Sequence, residues 1–66
     1  MQLIINGESR ELDDGISIAQ LLEQSDLAAK RIAVEVNTAI IPKSRHAETQ
    51  LHDGDKIEII HAIGGG

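Results

Sequence analysis

Along "MQLIINGESREL" apolar and polar side chains alternate on either side of Asn6-Gly7. Met1, Leu3 and Ile5 fall on one face, Gln2, Ile4 and Asn6 on the other, and Leu12 is the main inward residue of the second arm. Period two marks a half-buried strand, and Asn-Gly favours a type I′ turn because both turn positions need positive φ. The pattern predicts a hairpin that leaves Ile4 on the face away from the core. Asp13-Asp14-Gly15 breaks the second strand, after which Ile18, Leu21, Leu22 and Ser25 recur at helical spacing. Ser17 and Gln20 have the spacing of a capping box, and Ile16 and Leu21 that of a hydrophobic staple, so the helix is placed near residues 18 to 25. "DLAAKR" is read as one more turn followed by a loop.

"IAVEVN" alternates again, with Ile32, Val34 and Val36 opposed to Ala33, Glu35 and Asn37. Asn37-Thr38 turns the chain into "AII", a short strand that Pro42 ends or confines to a sheet edge, since proline donates no backbone hydrogen bond. "KSRHAETQLH" has no sustained period and is expected to cover the surface, with Leu51 dipping inward. "DGD" at 53 to 55 is a turn. In "KIEIIHAI" Ile57, Ile59, His61 and Ile63 alternate with Lys56, Glu58, Ile60 and Ala62, which puts Ile60, like Ile4, on the face opposite the core. The order of hairpin, helix and further strands predicts an α+β roll. A single helix covers one face of its mixed sheet and leaves the other open.

Composition narrows the chemistry. Sixty-six residues make one small domain, which buries only about 60% of the surface its unfolded chain exposes, so no enclosed active site is expected. The absence of cysteine excludes disulfides, thiolate metal sites and thioester formation by this chain. Aromatic residues are also absent, and eleven isoleucines bias the chain toward strands. A net charge of -5 argues against nucleic acid as a partner. The start has neither a basic n-region nor an apolar h-region, and no apolar run approaches a membrane span, so a cytoplasmic chain without membrane attachment is expected.

His46, His52 and His61 lack metal-ligand spacing, and "HDGDK" has too few oxygens for a calcium loop. Ser17 reads as a cap, and neither it nor Ser44 has a base to activate it. No catalytic residue and no metal site are assigned.

The initial "MQLIINGE", then "IIPKS", "LHDGDKIEII" and the closing "AIGGG" together resemble the ThiS family of sulfur carriers, over essentially the whole chain. The resemblance implies a β-grasp, ubiquitin-like roll. About five strands would form its mixed sheet, with one main helix on one face. Residues 1 to 63 would form the domain and 64 to 66 a flexible C-terminal glycine tail. It further implies that the Gly66 carboxylate is adenylated by a ThiF-type adenylyltransferase using ATP, then converted to a thiocarboxylate. That sulfur, supplied indirectly by a cysteine desulfurase system, would pass to a ThiG-type thiazole synthase in thiamine biosynthesis. This makes the chain a carrier and a co-substrate, not an enzyme, with no cofactor of its own and monomeric when free. Two positions depart from the family pattern: His46 stands where relatives often carry an aromatic residue, and Asn37-Thr38 replaces a more frequent glycine-containing turn.

The tail can be argued without the resemblance. Extended chain covers about 3.3 to 3.6 Å per residue, so Ile63 through Gly66 could reach roughly 13 Å from the body. Gly64 and Gly65, lacking Cβ atoms, suit a narrow channel that leads Gly66 to a reactive centre. An α-carboxylate, with a pKa of about 3.3 to 3.7, is ionised at neutral pH and a poor electrophile until activated. The chain has no phosphate-cradling loop to activate it alone. Ile4 and Ile60, with Ala33 and Ala62, are expected to form an apolar docking patch, and the acidic excess to steer toward a basic partner. Rival readings are the small subunit of molybdopterin synthase, a ubiquitin-like modifier joined through Gly66 to target amines, and an interaction module with an idle glycine end.

Overall fold

Both residues of Asn6-Gly7 take positive φ, 49° and 83°, as a type I′ turn requires. The turn joins β1 (Gln2–Ile5) to β2 (Glu8–Glu11) in an antiparallel pair with Ile5 opposite Glu8. The computed structural model describes residues 1–27 and 31–61. Leu3 and Ile5 are buried on β1, whereas β2 is exposed along its whole length. Leu12 lies just past β2 and packs against the core, its N–H donating to the Met1 carbonyl at 2.8 Å.

The capping box forms as spaced: Gln20 N–H donates to Ser17 Oγ at 3.1 Å and Ser17 N–H to Gln20 Oε1 at 2.9 Å. It starts α1 (Ile18–Gln24), whose staple residues Ile16 and Leu21 are both buried. The helix stops without the further turn expected of "DLAAKR". Asp26 takes φ 63°, its N–H reaches Glu23 O at 3.2 Å, and Leu27 N–H reaches Leu22 O at 2.7 Å. Those two bonds are the closure of a Schellman motif, and aspartate tolerates the left-handed position it needs. Ala28, Ala29 and Lys30 lie outside the described residues.

One mixed sheet runs in the order β2-β1-β5-β3-β4. Its central strand β5 (Lys56–His61) lies parallel to β1, with Ile57 opposite Ile5. It lies antiparallel to β3 (Ile32–Val36), with Ile59 opposite Val34, and β4 (Ala39–Ile41) closes the far edge before Pro42. α1 packs on one face, burying Leu3, Ile18, Leu21, Val34 and Ile57 to 1% exposure or less. This is the α+β arrangement expected from the order of elements.

The segment after Pro42 does more than cover the surface. A single 3-10 turn (Lys43–Arg45) brings the chain to the start of α1. There Ile18 N–H donates to Thr49 O at 3.0 Å and Ala19 N–H to His46 O at 3.1 Å. These are helix N-terminal donors with no partner inside the helix. Leu51 N–H donates to Ile16 O at 2.9 Å and the Leu51 side chain is buried, as expected. His46 is buried too, with Nε2 2.9 Å from the Ile41 carbonyl, to which it donates.

Two features give tests. In the β3-β4 turn Asn37 and Thr38 take φ 50° and 74°, and a β-branched residue is poorly suited to that region. Thr38→Gly is expected to stabilise the domain by about 0.5 to 1 kcal/mol, the relief of left-handed strain exceeding the added chain entropy. A melting temperature that falls in the variant contradicts this.

The Met1 ammonium donates to Leu12 O at 2.7 Å and meets Glu11 and Asp14 carboxylates at 2.9 Å each. Hydrogen bonding to Asp14 and then Glu11, against some desolvation, pushes its pKa from 8.0 up to about 10. A group whose folded pKa is raised contributes stability that is full below its unfolded value and lost as pH rises through the folded one. The melting temperature of the 66-residue chain should therefore decline between pH 8 and about 10. Because both carboxylates are exposed, salt should blunt the decline. An N-terminally acetylated chain showing the same decline would rule out the ammonium as its cause.

Candidate functional site: the root of the tail and the open sheet face

The strand that leads toward the terminal glycines is the most firmly held in the sheet. Ile4 N–H donates to Asp55 O at 3.0 Å and Asn6 N–H to Ile57 O at 2.9 Å. Where β1 turns away, the Asn6 side chain continues the ladder, its Oδ1 accepting Ile59 N–H at 2.7 Å. On the other side β3 pairs β5 over its last five residues, from Ile57 opposite Val36 to His61 opposite Ile32. Ala62, Ile63, Gly64, Gly65 and Gly66 follow in the chain and lie outside the described residues, as do the roles expected of Ala62 and the three glycines.

The start of β5 is fixed by the DGD turn. Gly54 takes φ 87°, a conformation that suits glycine. Asp53 Oδ1 accepts Gln2 N–H at 2.7 Å, and Asp55 accepts from His52 N–H at 2.8 Å and Asn37 Nδ2 at 2.9 Å. Asn37 Oδ1 in turn accepts Lys56 N–H at 3.0 Å. The aspartates serve as turn anchors that lock three strands together.

The sheet face away from α1 carries Ile4, Lys56, Glu58, Ile60, Ala33, Glu35 and, by its pairing with Glu35, Ile40. Ile4 and Ile60 share this face, as their parity predicts, but they are not neighbours. Ile4 stands level with Lys56 and is half-buried, and Ile60 lies four residues farther along β5, about 13 Å away at the strand rise, with Glu58 between. The exposed apolar surface gathers instead at the β3-β4 side: Ile60, 48% exposed, sits opposite Ala33, and Ile40, 69% exposed, lies diagonally across from Ala33, in the row of Glu35 and Glu58. Ile40 has no role in the docking patch expected from the sequence. The signal was present, since of the adjacent Ile40 and Ile41 only one can face the core, but choosing which requires the register that sets Val34 opposite Ile41.

Charge borders this patch. Glu35 and Glu58 stand directly opposite each other on the same face, a like-charge pair that is mildly unfavourable in isolation. Among the described residues no group of three or more His, Cys, Asp or Glu could hold a metal ion. An open groove of about 470 Å³ beside the start of α1 is lined, among the described residues, by Ser17, Gln20, Glu23, Glu48 and others that include no lysine or arginine, a poor setting for a triphosphate. No described helix is long and apolar enough to cross a membrane.

The model of the ThiS family matches residues 3–66. The chain is 32% identical over 66 residues to the sulfur carrier protein ThiS of Escherichia coli K12, covering 100% of both. It is 42% identical over 66 residues to a thiazole synthase of Paramagnetospirillum magneticum, but spans only 20% of that protein's length. A crystal structure of the thiamine biosynthesis protein ThiS from Geobacter metallireducens superposes with a TM-score of 0.87 at 29% identity, over 100% of both chains. With a five-stranded mixed sheet and one α-helix among its described residues, the chain belongs to the ThiS family, the β-grasp sulfur carriers of thiamine biosynthesis.

Proposed function

We propose that this chain carries sulfur as a thiocarboxylate on Gly66, serving as a co-substrate of partner enzymes. A ThiF-type adenylyltransferase would supply the ATP site that the acidic groove does not. The ionised carboxylate attacks the α-phosphorus of ATP and pyrophosphate leaves. In the resulting acyl adenylate the carbonyl carbon has a leaving group, so a sulfur nucleophile can form the C–S bond as AMP departs. A ThiG-type thiazole synthase then takes the sulfur. The observation that carries this reading is the family match running through residues 3–66, glycines included. The firm seating of β5 adds a physical reason: a strand bonded on both sides gives the tail a fixed point of departure. A relative of which this domain spans one fifth, itself a thiazole synthase, supports the second partner. The carrier is proposed to act in the cytoplasm, as a monomer when free.

Ile60, with Ala33 and Ile40, is the proposed docking surface, and Glu35 and Glu58 beside it favour a partner surface that is basic. Ile4 belongs to its margin. Gly64 and Gly65 let the tail enter a channel too narrow for side chains.

Incubation with the adenylyltransferase, ATP and a sulfur donor should exchange one carboxyl oxygen for sulfur in the intact mass. Removing Gly66 should abolish the exchange while leaving the unfolding midpoint in place. A wild-type mass that stays unchanged with active enzymes would instead favour an idle interaction module, and adducts to other proteins a modifier. Ile60→Glu should raise the KM for adenylation about tenfold or more while shifting stability by no more than about 0.5 kcal/mol, as for an exposed site. A KM equal to that of the wild type removes Ile60 from the docking surface.

A further inference from the structure

Asn6-Gly7 has a chemical liability that the turn geometry holds in check. Asparagine followed by glycine is prone to imide formation, because no Cβ on Gly7 hinders its nitrogen from reaching the Asn6 side-chain carbonyl carbon. Here both ends of Asn6 are tied to β5: its N–H donates to Ile57 O at 2.9 Å and its Oδ1 accepts Ile59 N–H at 2.7 Å. The positive φ values of 49° and 83° fix the turn itself. For Gly7 N to attack, the side chain must leave Ile59 and the main chain must rotate out of the type I′ turn. We infer that Asn6 is a fold-gated deamidation site, shielded while the β1-β5 ladder is closed and converted when it opens. This holds whatever cargo the chain carries.

The chemistry needs only water. Base removes the Gly7 amide proton, the nitrogen forms a bond to Asn6 Cγ, and the Cγ–Nδ2 bond breaks with loss of ammonia, closing a five-membered imide. Water then opens the ring, at Cγ to give aspartate or at the Asn6 main-chain carbonyl to give isoaspartate. Nothing is oxidised or reduced. Aspartate keeps an acceptor for Ile59 N–H. Isoaspartate inserts a methylene into the main chain at a turn with no spare length, and it draws the acceptor away from β5, the strand that leads to Gly66.

The only other asparagine provides an internal control. Asn37 precedes Thr38, whose branched side chain impedes the same ring closure even in an unfolded chain. Incubating the chain at mildly alkaline pH, with and without denaturing urea, and mapping peptides by mass spectrometry with isoaspartyl methyltransferase labelling tests the gate. Conversion at Asn6 should be slower by about tenfold or more in the folded chain, following the open fraction. The core variant Leu22→Ala should fall between the two conditions or match the unfolded rate, with Asn37 far behind Asn6 in urea. A synthetic chain with isoaspartate at position 6 should unfold at a lower denaturant midpoint. Equal rates at Asn6 with and without urea overturn the inference, as does an undiminished midpoint for the isoaspartyl chain.

Discussion

The parallel pairing of β1 with β5 joins residues more than fifty positions apart, and the remainder of the domain is arranged around it. Backbone bonds from Ile4 to Asp55 and from Asn6 to Ile57 form the ladder. Asp53 and Gly54 extend it at one end through Gln2, and the Asn6 side chain extends it at the other through Ile59. A parallel pair cannot be closed by a short turn. The crossover therefore contains α1, β3, β4 and the loop after them, and packing α1 on the sheet makes the core.

One short helix leaves the two faces of the sheet unlike. Seven residues of α1 span about 10 Å, enough to cover the central strands on one side. The 42–51 segment makes up the shortfall by bonding to the start of the helix, and buries His46 and Leu51 as it does so. No described element covers the opposite face. Of its exposed isoleucines, Ile60 lies one residue before the end of β5, whereas Ile40, paired with Glu35, stands level with Glu58.

Local chemistry was legible wherever a few consecutive residues decide the outcome. Asn6-Gly7, the Ser17-Gln20 box, the Ile16-Leu21 staple, Pro42 and the DGD turn all lie where the pattern put them, because each is signalled by residues close together in sequence, even where longer-range bonds then anchor it, as at the DGD turn. The helix end was less legible, because aspartate at a left-handed closing position is a weaker signal than glycine. The segment after Pro42 carries no local sign of its role, because its bonds go to the helix start, twenty-five to thirty-five residues away in sequence. Parity puts Ile4 and Ile60 on one face, but parity gives the face without the row.

What the sequence determined by itself is the set of elements, the side each strand turns inward, and a terminal glycine run on a chain without cysteine, since periodicity, turn chemistry and composition are properties of the chain in any conformation. What only the tertiary structure decided is which rows of the open face adjoin, that Ile40 rather than Ile4 extends the patch around Ile60, and that Asn6 secures the central strand. Those depend on register between strands distant in sequence, which is set by how the whole core packs and is written in no single segment.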